Sequence, residues 1–332
     1  MQRQKQLTDW LSSIYPNQTF TITSASADAS FRRYFRATFA NGDTRIIMDA
    51  PPQHEDCKPF LHVGKLFEDA GTHVPHVYAQ DLAQGFLLLS DLGNTTYLQA
   101  LSAGNATQLY GAATDALIKI QLASRKDELP PYDEALLRRE LNLFPEWYIA
   151  KHLGVTLSAK QQAKLEEVFQ RILRNNLAQP QVYVHRDYHS RNLMVTEDNN
   201  PGVIDFQDAV YGPITYDLAS LFKDAYIKWE EEEIINWLIH YWEKARKAGL
   251  PVHDDFGEFY RDYELMGAQR HIKVLGIFAR LYHRDGKDGY LKDMPLVFDY
   301  LHRACARYID LKPLLNLLDE LEPSKVQTGY SF

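Results

Sequence analysis

Between Val184 and Val195 the chain reads VHRDYHSRNLMV, with Asp187 five residues ahead of Asn192 and two histidines, His185 and His189, four apart around the aspartate. Three readings compete for this stretch. Histidines at i and i+4 share one face of a helix and bind zinc there. A cluster of charges in a solvated turn needs no function at all. A carboxylate and an amide brought into one loop are oxygen donors of the kind that hard cations take. The flanking residues decide among them.

Upstream lies the strand candidate QVYV, and downstream come LMV, the turn-rich TEDNNPG and VIDFQD. This order predicts an antiparallel hairpin, and pairing residues symmetrically about the turn sets Val195 opposite Gly202, Leu193 opposite Ile204 and Asn192 beside Asp205. Asp187, Asn192 and Asp205 then converge on one end of the hairpin. Metal-dependent phosphoryl transfer requires such a set: Mg²⁺ held by one carboxylate and one amide, here Asp205 and Asn192, and a further carboxylate, Asp187, to accept the proton of the attacking hydroxyl. The zinc reading lacks a third ligand, and His185 reads as a structural residue that holds the loop by a hydrogen bond. A purely structural turn has no need of the agreement between Asn192, Asp205 and the register.

The remainder of the chain is consistent with this chemistry. Of 332 residues, 45% are hydrophobic and 24% charged, a composition with enough apolar material for a substantial core. The net charge of -8 disfavours broad contact with nucleic-acid phosphates and favours a small polar ligand. MQRQKQLTDW lacks the apolar segment of a secretory signal, and no apolar run approaches the roughly 20 residues that cross a bilayer, so a cytoplasmic protein without membrane partners is expected. Cys57 and Cys305 stand in no metal-binding spacing and read as reduced thiols.

TFTITSA, RYFRATF, TRIIMDA, HVYAQD and GFLLLSD read as strands, with Asn41-Gly42 as a type I′ hairpin turn and a helix from Pro59 to Ala70 after the third strand. Beyond Asp91 the pattern turns helical: Asn105 to Ala123, a capping box at Ser158 opening a helix to about Arg174, Lys228 to Lys247, Arg270 to His283 and Leu296 to Ile309. The expectation is an α+β chain of two lobes, 1–91 for nucleotide and 92–332 for catalysis and substrate. Nothing in the sequence sets the oligomeric state.

HRDYHSRN followed by the strand-borne Asp205-Phe206 resembles the catalytic and metal segments of the aminoglycoside phosphotransferase and choline kinase family. The resemblance covers nearly the whole chain. It implies a two-lobed protein-kinase-like fold, ATP and Mg²⁺ as cofactors, and transfer of the γ-phosphoryl group to a small-molecule hydroxyl. FLLLSDLG looks like the last strand of the first lobe plus the hinge, which implies adenine contacts at Ser90, Asp91 and Leu92. PITYDLASLF, with Asp217, looks like the segment that props the catalytic loop. The runs SFRRYFR, IIMDAPP, LSDLGNTTYL, LNLFPEWYIAKHLG and QRHIKVLGIFARLYHRDGKDGYL are similar to bacterial anomeric kinases of N-acetylmuramate and N-acetylglucosamine, which serve cell-wall recycling. That likeness implies an N-acetylated sugar 1-phosphate as product.

Two departures from the family pattern shape the expectations. The phosphate loop SASADASFRR has no glycine, although small residues, among them Ser26 and Ser30, let backbone N–H groups approach phosphate. The third strand, IIMDAPP, offers Met48 and Asp49 where a phosphate-binding lysine belongs. Arg32, Arg33 or Arg36 then supplies the missing charge, or these arginines are simply a solvated hairpin edge. Sugar contacts are expected from Glu146, Trp147, Tyr148, Asp208, Tyr211 and Arg270, the last as partner of a lactyl carboxylate; a packing role competes for Trp147 and Tyr148. A kinase of another small alcohol, such as choline or an aminoglycoside, and a pseudokinase that has lost turnover with its strand lysine are the rival functions.

Overall fold

In the computed structural model, residues 2–27 and 31–322 are described, Ser26 and Ala27 by their backbone. They divide into two compact units, one formed by residues up to 102 together with 191–208, the other by 103–190 and the residues from 209 onward. The hairpin that carries Asn192 and Asp205, expected in the C-terminal lobe, groups with the N-terminal sheet.

The first unit begins with helix α1 (Gln2–Ile14), followed by β1 (Phe20–Ala27), β2 (Arg33–Phe39), β3 (Thr44–Asp49), helix α2 (Lys58–Asp69), β4 (Val77–Asp81), β5 (Phe86–Ser90) and the short helix α3 (Tyr97–Ala100). The strands form one antiparallel sheet in the order β1-β2-β3-β5-β4. Side chains alternate across it. Ala37, Phe39, Ile47, Phe86 and Leu88 face α1 and enclose its Leu7 and Leu11, which are fully buried. The opposite face presents Tyr34, Arg36, Ile46 and Leu89 to a cavity. Each leucine of α1 withdrawn from water contributes roughly 1.5–3 kcal/mol, and Trp10 and Ile14 pack partly buried beside them.

The turn after β2 differs from the expected type I′. Gly42 has φ +89° while Asn41 is not among the positive-φ residues, and Gly42 N–H donates to Phe39 O. The Asn41 side chain instead accepts from Asp43 N–H at 3.0 Å. A type I turn closed by a left-handed glycine results, the three-residue hairpin alternative.

The second unit contains α4 (Ala106–Leu122), α5 (Glu134–Leu143), a π-helix (Phe144–His152), α6 (Ala159–Ala178), β6 (Gln181–Val184), β9 (Val210–Pro213), α7 (Tyr216–Phe222), α8 (Glu231–Ala248), α9 (Phe256–Asp285), α10 (Met294–Arg307) and α11 (Lys312–Leu321); β7 (Leu193–Met194) and β8 (Gly202–Val203) form the hairpin in the first unit. Ser158 caps α6 with the expected capping box. The segment expected from Arg270 to His283 is the C-terminal half of α9, a 30-residue helix buried continuously from Tyr263 to Gly276, against which α5, the π-helix, α6, α7 and α10 pack. No helix among the described residues is long and apolar enough to cross a membrane.

Candidate active site

In the first unit the hairpin register is one residue off the expected one. Leu193 pairs with Val203 and Met194 with Gly202, because Val195 N–H donates to Thr95 O at 2.8 Å instead of joining the ladder. Asn192 is therefore opposite Ile204, whose N–H donates to Asn192 O at 3.1 Å. Asp205 nevertheless reaches Asn192: its φ of 66° turns the chain back, and Asn192 Nδ2 lies 3.3 Å from Asp205 Oδ2. A non-glycine residue in the left-handed region is uncommon and costs energy that the surroundings must offset. Phe206, buried against Phe60 and Phe67 of α2, anchors the turn.

A cavity of about 370 Å³ opens on this pair, lined by Ile46, Leu89, Ser90, Asp91 and Leu92 on one side and by Asn192, Met194, Ile204 and Asp205 on the other. Its walls combine apolar side chains with polar and charged ones, the mixed lining of a small-molecule pocket. Arg36 braces the hinge. Its guanidinium grips Asp91 through two bonds of 2.5 and 2.9 Å and also donates to Asn94 and to Gly93 O. Burial pushes the Asp91 carboxyl up, but the bonds from Arg36 and Gly93 N–H prevail and hold it below its ordinary value. Asp91 thus shapes the segment after β5 with its side chain.

The donor chemistry at Asn192 and Asp205 fits a hard divalent cation. Gln207 adds to that fit: its Nε2 donates to Asp205 Oδ1 at 2.9 Å, and its buried Oε1 has no hydrogen-bond partner among the described residues. A buried amide oxygen without a donor is costly unless a ligand meets it. Among the described residues no group of three or more His, Cys, Asp or Glu side chains that could hold a metal ion occurs.

The candidate catalytic loop, residues 184–190, belongs to the second unit, and α7 with the residue after its C-cap pins it at both ends. Asp217, 1% exposed, accepts the N–H groups of His185 and Arg186 at 2.7 and 3.0 Å. Asp224, equally buried, accepts Ser190 N–H at 3.0 Å and the Ser190 hydroxyl. His185 is buried and its Nδ1 accepts Asp187 N–H at 3.2 Å, the structural hydrogen bond expected of it. Arg186 sits at φ 75° with its guanidinium 2.6 Å from Glu140, and the Tyr188 hydroxyl donates to Ala113 O at 2.8 Å. The loop is held residue by residue around Asp187.

Burial raises the Asp187 carboxyl, yet Lys273, His189, Arg270 and His185 outweigh it and bring its pKa down to about 2. Lys273 is itself a buried cation, 3.1 Å from Glu140 and 2.9 Å from the Tyr216 hydroxyl. Asp217 moves the other way, to about 7, through burial and the proximity of Asp187, against the pull of its two backbone N–H donors. Opposite shifts in two neighbouring carboxylates separate an ionised one from one that braces.

The structure distributes the other expected residues unevenly. Arg33 lies on the α1 face of the sheet, 2.5 Å from Asp49, which Arg3 also holds at 2.8 Å. Asp49 therefore points away from the cavity, and Arg33 is not at a phosphate site; strand parity puts Met48 on the cavity face instead. Arg32 approaches Asp205 at 3.8 Å. Ser30 is outside the described residues, and Ser26 is described by its backbone in β1. Tyr148 is 1% exposed, stacked between Phe144 and His152 and bonded to Glu322, so it packs the core and does not meet a sugar. Glu146 is exposed and Trp147 half-buried on the same π-helix. Tyr211 is half-buried opposite Tyr183 in the β6–β9 pair, and Asp208 is exposed. Arg270 is 4% exposed and donates to Ser220 Oγ, which suits support of Asp187 better than contact with a lactyl group. Sequence reasoning missed Gln207, adjacent to a residue it identified, and Asp224, which nothing local marks.

Residues 21–256 match the model of the phosphotransferase enzyme family. The chain is 51% identical to the N-acetylmuramate/N-acetylglucosamine kinase of Neisseria meningitidis serogroup B over the whole of both proteins, and 50% identical to the protein so named from Pseudomonas aeruginosa, covering 96% of this chain and 97% of that one. Among solved structures it resembles the choline kinase LicA of Streptococcus pneumoniae (TM-score 0.61, 15% identity, 93% of this chain and 100% of that one). It also resembles the ADP-bound aminoglycoside phosphotransferase APH(2″)-Ib (TM-score 0.58, 16% identity, 89% and 96%). The fold is the protein-kinase-like fold of these enzymes, and the chain belongs to the phosphotransferase enzyme family.

Proposed function

We propose that this protein is a cytoplasmic ATP-dependent kinase that phosphorylates the anomeric hydroxyl of N-acetylmuramate and N-acetylglucosamine. The observation that carries the reaction class is the separation of roles among the carboxylates: Asp187 held ionised in a loop pinned at both ends, and Asp205 paired with Asn192 beside a nucleotide-sized cavity. The full-length identity of about half with two proteins named for these sugars supports the substrate class. In the reaction the anomeric oxygen bonds to the γ-phosphorus, the bond from that phosphorus to the β-phosphate bridging oxygen breaks, and ADP leaves. Asp187 orients the hydroxyl and takes its proton late, since a carboxylate with so low a pKa is a weak base until the oxygen has bonded to phosphorus. Asn192 and Asp205, with Gln207 beside them, would hold Mg²⁺, which neutralises charge on the phosphate oxygens. Backbone groups at Ser90 to Leu92 receive the adenine, and Glu146, Trp147, Asp208 and Tyr211 are the sugar candidates with accessible side chains.

Phosphorus NMR of products formed from ATP, Mg²⁺ and a panel of N-acetylated sugars, amino alcohols and aminoglycosides tests this. The expected product shows phosphorus coupled to an anomeric proton, and Asp187→Asn lowers kcat by about 10² to 10⁴ with ATP binding retained. Phosphorylation of an amino alcohol or aminoglycoside in place of the sugars overturns the substrate, and equal rates for Asp187→Asn overturn the role of that residue.

A further inference from the structure

β3 reads TRIIMD and contains no lysine, so the cation that meets the nucleotide phosphates must come from elsewhere. Ile46 lines the cavity, and Met48, the next residue on that face, is 1% exposed where a lysine would extend. Three arginines stand nearby in the FRRYFR run. Arg33 is on the opposite face with Asp49. Arg36 faces the cavity, but Asp91, Asn94 and Gly93 O engage its guanidinium. Arg32 precedes β2 by one residue, on the parity of Tyr34 and Arg36. Its Nη2 lies 3.8 Å from Asp205 Oδ1 and its Nε 4.0 Å from Glu55 Oε2, with a side chain 11% exposed.

A second contact fixes the same segment. Phe31 stacks on His54 with ring centroids 4.6 Å apart, so two consecutive residues, Phe31 and Arg32, dock on two consecutive residues, His54 and Glu55. The guanidinium is thereby set beside the carboxylate of the metal candidate Asp205, at Coulombic range, with Glu55 balancing its charge. Its planar fork of N–H donors suits phosphate oxygens. We propose that Arg32 is the phosphate-binding cation of this protein and that Glu55 positions it, the pair replacing a lysine on β3. This rests on the reading of the chain as an ATP-dependent phosphotransferase and deepens it.

Calorimetric titration with Mg·ADP and with adenosine tests the assignment without turnover. Arg32→Ala weakens Mg·ADP by about tenfold or more, the loss expected for a charge-assisted contact, and leaves adenosine affinity within about twofold. Arg32→Lys recovers part of the loss, as does Met48→Lys added to Arg32→Ala, which returns a cation to β3. Glu55→Gln weakens Mg·ADP by a smaller factor. Unchanged Mg·ADP affinity in Arg32→Ala, or equal losses for ADP and adenosine, overturns the proposal. The sugar reading fails separately: a wild type that shows the Arg32 dependence with ADP but phosphorylates no N-acetylated sugar supports this assignment and removes that substrate. A wild type that binds no Mg·ADP overturns both.

Discussion

Asp187 keeps its charge because cations surround it in a buried loop, and with Asp187 as the proposed base this sets how activity responds to pH. Its carboxyl lies below the ordinary value, so its contribution to folding stability is complete above about pH 4 and is lost as pH falls toward about 2. Asp217 has the opposite sign: raised to about 7, it favours the fold at low pH and that contribution disappears as pH rises through 7. Lys273 is the largest of the charges that depress Asp187. Lys273→Met should let burial prevail and raise the Asp187 pKa by about one to three units, so that the acid limb of kcat/KM moves up by the same amount. A pH–rate profile that keeps its wild-type acid limb would refute that electrostatic role. The pairing of Asn192 with Asp205 was legible in the sequence because both fall within one short, contiguous run whose turn residues announce a hairpin. The face on which Asp49 and Arg33 lie was not, since alternation separates two sides of a strand without saying which one a distant helix covers.

At the level of elements, α9 organises the second unit, and its Gly276 shows how closely the helices approach. A Cβ there would stand 2.5 Å from the Leu143 carbonyl carbon, at the junction of α5 and the π-helix. Gly276→Ala should therefore destabilise the protein by about 1–3 kcal/mol, the usual result of overpacking, with a lowered midpoint in urea as the measure. A midpoint equal to wild type would mean that the crossing relaxes without cost. Pro145 accounts for the irregular hydrogen bonding that continues α5 as a π-helix: lacking an N–H, it cannot extend the i→i−4 ladder. Helix α1 escaped sequence reasoning because it opens on the polar run QRQKQ and only Leu7 and Leu11 are fully buried, with Trp10 and Ile14 packed partly exposed beside them. The hairpin register slipped by one residue for a similar reason, as the bond from Val195 to Thr95 crosses a hundred residues of chain.

On the scale of the whole molecule, the chain crosses between its two units after residues 102, 190 and 208, so the sheet unit is completed by residues far along the sequence. Phe206 fills the space between Phe60 and Phe67, Val203 N–H donates to His73 O at 2.7 Å, and Asn200 donates to the Tyr97 hydroxyl at 2.7 Å. A fragment of residues 1–102 should accordingly fail to give dispersed amide resonances or bind Mg·ADP, whereas joining residues 191–208 to it through a flexible linker should restore part of both. Cooperative folding of 1–102 alone would show the hairpin to be dispensable. By itself the sequence determined the reaction class, the five strands of the first sheet and several of the helices, because local periodicity, turn chemistry and short spacings encode them. Only the tertiary structure decided which arginines line the cavity, that Asp224 joins Asp217 in pinning the loop, and which expected sugar contacts are buried. Each of those depends on contacts between residues remote in sequence, where burial and pairing are set by packing and leave no local trace.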